Sequence, residues 1–246
     1  MTGGYQITPV YGKFGYEFCV EKDDLKVCFS KEDDFLRYHR NLGGWVVERI
    51  IASESGMVII NPVEPLNLPE EVTRFLEIRF EPIEIEPEAT RRIYLTFPIE
   101  IAVFLVKNDA YRCIDIFSRV PQKYSLYGPT DTGVITRYHW SEVFLRRPDP
   151  DPSLYGVVEL DLMNKTKNWV EVSRVVFENY GMKIYYDNDL VSMSAGMKIV
   201  KPTLAYTAFE DKPIRTGMQK SIELYYSRKL AGVDHMAYYT MEEGLV

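Results

Sequence analysis

Two histidines stand where chemistry could be done. His39 lies in RYHRN beside Arg37 and Arg40, and His139 lies in RYHWSE between Tyr138 and Trp140. An imidazole can act as a base or ligate a metal near neutral pH. Tyr138 and Trp140 add flat rings that stack on apolar sugar faces. Arg37, His39, Tyr138, His139 and Trp140 are therefore the candidate ligand-binding residues. A metal would need the histidines to converge with carboxylates, and no second ligand spacing supports that. On residue type alone both read as strand histidines at a surface, and His235 is the only other one.

Other reactive patterns fail on their own chemistry. GPTDTGVI at 128–135 has two glycines at phosphate-loop spacing, but Val134 and Ile135 replace the Lys and Ser or Thr that grip phosphate and magnesium. It reads as a turn between strands. There is no G-x-S-x-G elbow and no H-E-x-x-H pair. The acids at 32–34, Asp149/Asp151 and Asp187/Asp189 lack the glycine and distal glutamate of a calcium loop. Asn164–Lys165–Thr166 matches a glycosylation sequon but reads as a polar turn. No catalytic residue, metal or cofactor is expected.

Cys19 and Cys28 flank FCVEKDDLKVCF, which folds as a hairpin about Asp23–Asp24. In that register Val20 faces Val27 and Cys19 faces Cys28 at a non-hydrogen-bonded site, where side chains approach closely. A disulfide is geometrically possible; a reducing cytosol favours two packed thiols. Cys113 reads as a small hydrophobe.

The elements that must position these residues are strands. In RRIYLTFPIEIAVFLV, residues 91–106, apolar side chains alternate through Ile93, Leu95, Phe97 and then Ile99, Ile101, Val103, Leu105. Pro98 and Glu100 exclude a membrane helix. Residues 45–51 and 57–60 read as a hairpin about ASESG. Further strands are expected at 75–81 with 83–85, 111–117, 123–127 and 134–140, and one short helix at 68–76. RRPDPDPS at 146–153 cannot join a ladder and reads as a stiff connector. Seven more strands follow, at 157–163, 169–178, 182–186, 190–194, 197–200, 204–209 and 218–227, with turn residues between them. The expected fold is all-β, two antiparallel β-sandwich domains. The first spans 1–147, a Pro-Asp linker 148–153, and an immunoglobulin-like domain 154–246.

The 246 residues carry a net charge of −7. No basic run offers a phosphate-neutralising face, so nucleic acid is not the expected partner. The N-terminus lacks a signal sequence, and the cytoplasm is the expected compartment. Tyr5, Tyr11, Tyr16, Tyr138, Trp140, Tyr185, Tyr186, Tyr225 and Tyr226 could line a sugar-binding face, although strand propensity and packing also account for them.

NLGGWVVERI, SESGMVIINPVEPLNLP, IYLTFPIEI, IDIFS and SLYG, followed by NKTKNWVEV, ENYGMKIYY and GMQKSIELY, resemble an archaeal family, domain of unknown function 432, over residues 10–228. The resemblance implies an archaeal cytoplasmic protein and brings no activity or site residue. It also implies an accessory role beside a membrane channel, and an archaeal source would favour the Cys19–Cys28 bridge. The function expected from all this is a non-catalytic binding or regulatory module acting through protein contacts, with a homodimer through sheet edges as one form. The alternatives are a glycan or small polar ligand bound at a cleft between the domains, and a hydrolase.

Overall fold

The structure, a computed structural model, describes residues 10–224, 238–242 and 244–245. Tyr5, Tyr225, Tyr226, His235 and the end of the strand expected at 218–227 lie outside the described residues. The chain is all-β, with several antiparallel sheets, and divides into two compact units. One comprises residues 1–61 and 101–119, the other 62–100 and 120–246. Among the described residues no helix is long and apolar enough to cross a membrane.

The first unit opens with β1 (Gly12–Phe14) and a four-stranded antiparallel meander of β2 (Phe18–Lys22), β3 (Leu25–Glu32), β4 (Phe35–Leu42) and β5 (Trp45–Ala52). Two-residue turns join these strands, and Asp23, Asp33, Gly43 and Gly44 supply the positive φ that such turns require. Alternation then sorts the side chains. Val20, Leu25, Val27, Phe29, Leu36 and Tyr38 are buried on one face. Cys19, Cys28, Arg37, His39 and Glu48 fall on the other.

A second sheet has the order β1-β6-β9-β10, with β6 at Met57–Val63, β9 at Glu100–Lys107 and β10 at Ala110–Phe117. Phe14, Phe18, Phe29 and Tyr38 bring the two sheets together, with successive ring centroids 4.3, 5.3 and 5.0 Å apart. Beside them Asp115, at a β-bulge, accepts from Tyr38 Oη at 2.7 Å and Arg40 Nε at 2.6 Å. Burial first, and then the Asp115 charge, raise the Tyr38 pKa and keep the phenol protonated. The hairpin expected at 45–60 does not form. Among the described residues β5 pairs with β4 alone, while β6 pairs with β1 and β9. Their surroundings explain the split: β6 is buried along almost its whole length and β5 is exposed along most of it.

The second unit holds the remaining strands. β11 (Tyr124–Tyr127), β12 (Val134–Trp140), β7 (Phe75–Ile85) and β14 (Val170–Glu178) form one sheet in that order. The other runs β18 (Gln219–Lys220), β15 (Tyr185–Tyr186), β16 (Val191–Lys201), β13 (Tyr155–Asn164), β8 (Thr90–Pro98). β17 (Leu204–Glu210) also pairs with β16, and β19 (Tyr239–Met241) with β17. Two pairings, β12 with β7 and β13 with β16, are parallel, which a purely antiparallel sandwich does not contain. Residues 91–106 are sheet throughout apart from the break at Ile99, and the run switches there from β8 to β9. Residues 148–153 run within the second unit, where Asp151 Oδ1 accepts from the backbone and hydroxyl of Ser153 just before β13.

Two local expectations are corrected. No helix forms at 68–76, because Phe75 and Leu76 are taken into β7 by pairing with β14. Thr73 Oγ1 accepts from Phe75 N and donates to Ile135 O, fixing that entry. Ala195–Gly196 does not divide two strands either. β16 continues through it, and Gly196 lets Met163 lie close, where a Cβ would sit 3.2 Å from its Cε.

Candidate functional site

Arg37 and His39 occupy the solvent face of the meander, two residues apart on β4. Arg37 grips Glu32 with both branches, Nε to Oε1 at 2.7 Å and Nη2 to Oε2 at 2.9 Å. That bond lowers the Glu32 pKa and raises that of Arg37. His39 Nδ1 lies 3.2 Å from Glu48 Oε1 on β5. On the other side of His39 stands Cys28, paired with Cys19 in the register expected. Their sulfurs lie 2.00 Å apart, joined as a disulfide. The face is a solvated lattice of pairs. Among the described residues no three His, Cys, Asp or Glu groups converge to hold a metal.

This face ends at β5, which carries the largest apolar exposure in the meander. Trp45 is 82% exposed, Ile50 67% and Val46 53%, and Phe35 on the neighbouring β4 is 48% exposed. The Gly43–Gly44 turn makes Leu42 and Trp45 a hydrogen-bonded pair, so Trp45, Val47, Arg49 and Ile51 aim their peptide groups at β4. Those of Val46, Glu48, Ile50 and Ala52 therefore aim outward from the sheet edge.

Tyr138, His139 and Trp140 belong to the second unit, so Arg37 and His39 share no strand or sheet with them. Within β12 they also part, since His139 points to the face opposite Tyr138 and Trp140. His139 Nε2 is 3.0 Å from Thr96 Oγ1, which donates to Ser141 Oγ at 3.2 Å, and that hydroxyl donates to Glu142 O at 2.7 Å. Protons in this chain run from the imidazole toward a carbonyl. The serine has no base to take its proton, and the histidine is not placed to activate it. Burial, helped by Lys123, pushes the His139 pKa down to about 4, which makes the ring a neutral donor.

Tyr138 and Trp140 share their face with a group that the sequence does not mark. Glu77 is fully buried and accepts from Arg79 Nε at 2.6 Å, Ser125 Oγ at 2.5 Å, Thr136 Oγ1 at 3.0 Å and Arg174 Nη1 at 3.4 Å. Arg79 in turn lies 5.8 Å from the Tyr138 ring centroid. In FLEIRF, period-2 alternation places Glu77 and Arg79 on an outer face. Only the pairing with β12 and β14 shows that this face is covered.

A second buried acid cluster is less complete. Glu100 Oε2 accepts from Asn67 N at 2.9 Å. Its Oε1 lies 3.8 Å from Arg137 Nη2, too far for a hydrogen bond, and neither atom has a hydrogen-bond partner among the described residues. Glu64 Oε2 is in the same condition. Burial pushes Glu64 up to about 8, with Glu223 and Glu100 adding to it. Burial also pushes Glu100 up to about 7, against the opposing pull of the Asn67 amide and Arg137.

One shallow groove lies on the sheet of β13, β16 and β17. It measures 480 Å³ and is lined by Met163, Gly196, Lys198, Tyr206, Ala208, Glu210 and Tyr238. The loop at 128–133 needs its glycines for packing. Gly133 N donates to Pro129 O at 2.6 Å, and a Cβ on Gly133 would stand 2.5 Å from that same oxygen. The sequon asparagine is buried, its Nδ2 donating to Ile85 O, Glu86 O and Asn168 O, so it serves as a turn anchor.

Over residues 10–242 the chain matches the family described as Protein of unknown function (DUF432), and it belongs to that family. No curated protein and no solved structure matches it.

Proposed function

We propose that this member of the DUF432 family is a non-catalytic binding or regulatory module that docks an extended polypeptide strand at the edge of its meander. The observation that carries the reading is β5. It is eight residues long, pairs on one side alone among the described residues, and exposes Trp45, Val46 and Ile50. An open edge with outward peptide groups is a template for strand addition, in which backbone bonds give affinity and alternate side chains give selectivity. Arg37 and His39 lie one strand in, on β4, opposite Ile50 and Glu48 of β5. The polar groups best placed for catalysis point the same way. Glu77, Asp115 and the His139–Thr96–Ser141 chain are held in bonds that serve the fold.

Amide hydrogen exchange on the full chain tests this. An alternating Thr–Val octapeptide is the probe. The expected result is slowed exchange at Val46, Glu48, Ile50 and Ala52, lost in Glu48→Pro, which removes an outward N–H. Unchanged exchange at all four amides, at a concentration where the chain is monomeric, overturns the reading.

The groove between Met163 and the Tyr206–Tyr238 pair favours one second reading, a small polar ligand with an apolar face. A ligand of the native state raises the melting temperature, so a thermal-shift screen of sugars and amphipathic metabolites decides it.

A further inference from the structure

The meander has two edges, and they are built differently. β2, at one edge, is five residues long and carries Glu21 and Lys22. Glu21 is paired to Lys26, Phe18 is stacked on Phe14, and the adjoining Asp23–Asp24 turn is held by Arg119. Short length and charge are the usual protections of an edge. β5, at the other edge, is longer, at eight residues, and its two charges, Glu48 and Arg49, lie on opposite faces. It contains no Lys, no Pro and no bulge, and its eight pairs with β4 run without interruption. An edge so exposed and so unprotected implies an occupant.

The sequence of β5 indicates what that occupant is. It carries one acid and one base, Glu48 and Arg49, on opposite faces of the strand. A two-fold axis between two antiparallel β5 strands stands perpendicular to the sheet, so one residue must lie opposite its own copy. Centring on Glu48 or on Arg49 sets like charges face to face, which is destabilising. Centring on Ile50 leaves both charges opposite apolar residues and carries Trp45 beyond the partner strand's end at Ala52. Centring on Val47 pairs the same number of residues, sets no like charges face to face and leaves only Glu48 opposite an apolar residue. Val47 meets Val47, Val46 meets Glu48, and each Trp45 ring lies opposite an Arg49 guanidinium, a cation–π pair formed twice. In this register Val46 and Glu48, whose peptide groups point outward, fall on the hydrogen-bonded positions.

Resting on the strand-docking reading above, we propose that the strand β5 receives is β5 of a second copy of this chain, paired antiparallel about Val47 into one eight-stranded sheet. The protected β2 edges terminate that sheet, so the assembly closes at two copies.

Sedimentation equilibrium of the full chain from micromolar to millimolar concentration is the first measurement. The expected mass rises from 28.6 kDa to twice that value. Trp45→Lys, at a residue 82% exposed, sets Lys against Arg49 and is expected to raise the dissociation constant about tenfold or more, while circular dichroism stays unchanged. Adding Arg49→Glu to Trp45→Lys restores the opposite-charge pair and the dimer. Oxidative cross-linking fixes the register. In a Cys113→Ser background, Val47→Cys is expected to form an intermolecular disulfide, because a non-hydrogen-bonded pair brings its Cβ atoms closest. Ile50→Cys is not. A monomer throughout, a dimer indifferent to Trp45→Lys, or cross-linking through Ile50→Cys each overturns the inference. If the chain stays monomeric and the Thr–Val peptide still slows exchange at β5, this inference falls and the strand-docking reading stands. If the peptide fails as well, both fall.

Discussion

Glu77 and Glu100 are two carboxylates of the same unit, both without solvent exposure, and they are satisfied to very different degrees. Glu77 takes bonds from two arginines and two hydroxyls. Glu100 Oε2 accepts from the Asn67 backbone amide, but its Oε1 has no hydrogen-bond partner among the described residues and its guanidinium neighbour stands 3.8 Å away. Removing a carboxylate from water costs several kcal/mol, roughly, and only a full set of donors offsets that cost. Glu77 has such a set. Glu100 and its neighbour Glu64 do not, and both are pushed toward the protonated form. The same residue type therefore locks one part of the interior and leaves another responsive to pH.

The largest test of the contrast alters one acid of each kind, Glu77 and Glu64. Glu77→Ala strands Arg79 and Arg174 together with two hydroxyls, and is expected to cost about 3 kcal/mol or more in urea unfolding. Arg174 makes that cost hard to relieve, since a Cβ at Gly244 would lie 2.4 Å from its Nε and the side chain has little room to turn outward. Glu64→Gln replaces a group that is already mostly neutral at pH 7 with a neutral isostere, and is expected to cost less than about 1 kcal/mol. Equal losses for the two variants would mean that burial alone, and not the donor set, decides the energy.

The next effect is a pH dependence. For Glu64 and Glu100 the folded pKa lies above the unfolded one, so the native state holds protons that the unfolded chain has released. Stability is complete below pH 4.5, the ordinary glutamate value, and is lost as pH rises through about 7 and 8. His139 acts in the opposite direction. Its folded pKa is lowered to about 4, so its contribution is present above 6.5 and lost as pH falls. Measuring from pH 6.5 to 8.5 isolates the acids. Urea midpoints are expected to fall across that range, with a slope of up to about 1.4 kcal/mol per pH unit for each proton released. In Glu64→Gln the slope is expected to be at least halved. A flat wild-type profile would show that neither Glu64 nor Glu100 is protonated in the native state at pH 6.5.

How much of this the sequence discloses depends on the length scale. Alternation marks nearly every strand, and the Asp23–Asp24 turn sets the Cys19–Cys28 register without further help. Pairing between distant strands is not disclosed. Phe75 and Leu76 look helical beside Pro69, Glu70 and Glu71 until β14 claims them from about 100 residues away. The parallel neighbours β13 and β16 look like members of a local meander for the same reason. Glu77 is missed because alternation tells which residues share a face and cannot tell whether that face is covered. His39 and His139 are legible as residues, but their separation into different units is a property of the long-range fold. Glu100 is the partial exception, since a lone acid between two apolar rows already marks a costly burial.

A third carboxylate extends the comparison to the surface and predicts the smallest effect. Glu32 is gripped by both branches of Arg37, a better geometry than Glu100 has with Arg137. If geometry alone set the energy, Arg37→Gln would rank near Glu77→Ala. Water argues otherwise. Both partners of the Glu32–Arg37 pair are open to solvent, with side chains 52% and 39% exposed, so each is hydrated when the bond is broken and screened by salt when it is made. Arg37→Gln is expected to leave the urea midpoint unchanged in 0.15 M salt, and to show at most a slight loss when salt is withdrawn. A loss that persists at high salt would mean that this side chain is shielded in solution.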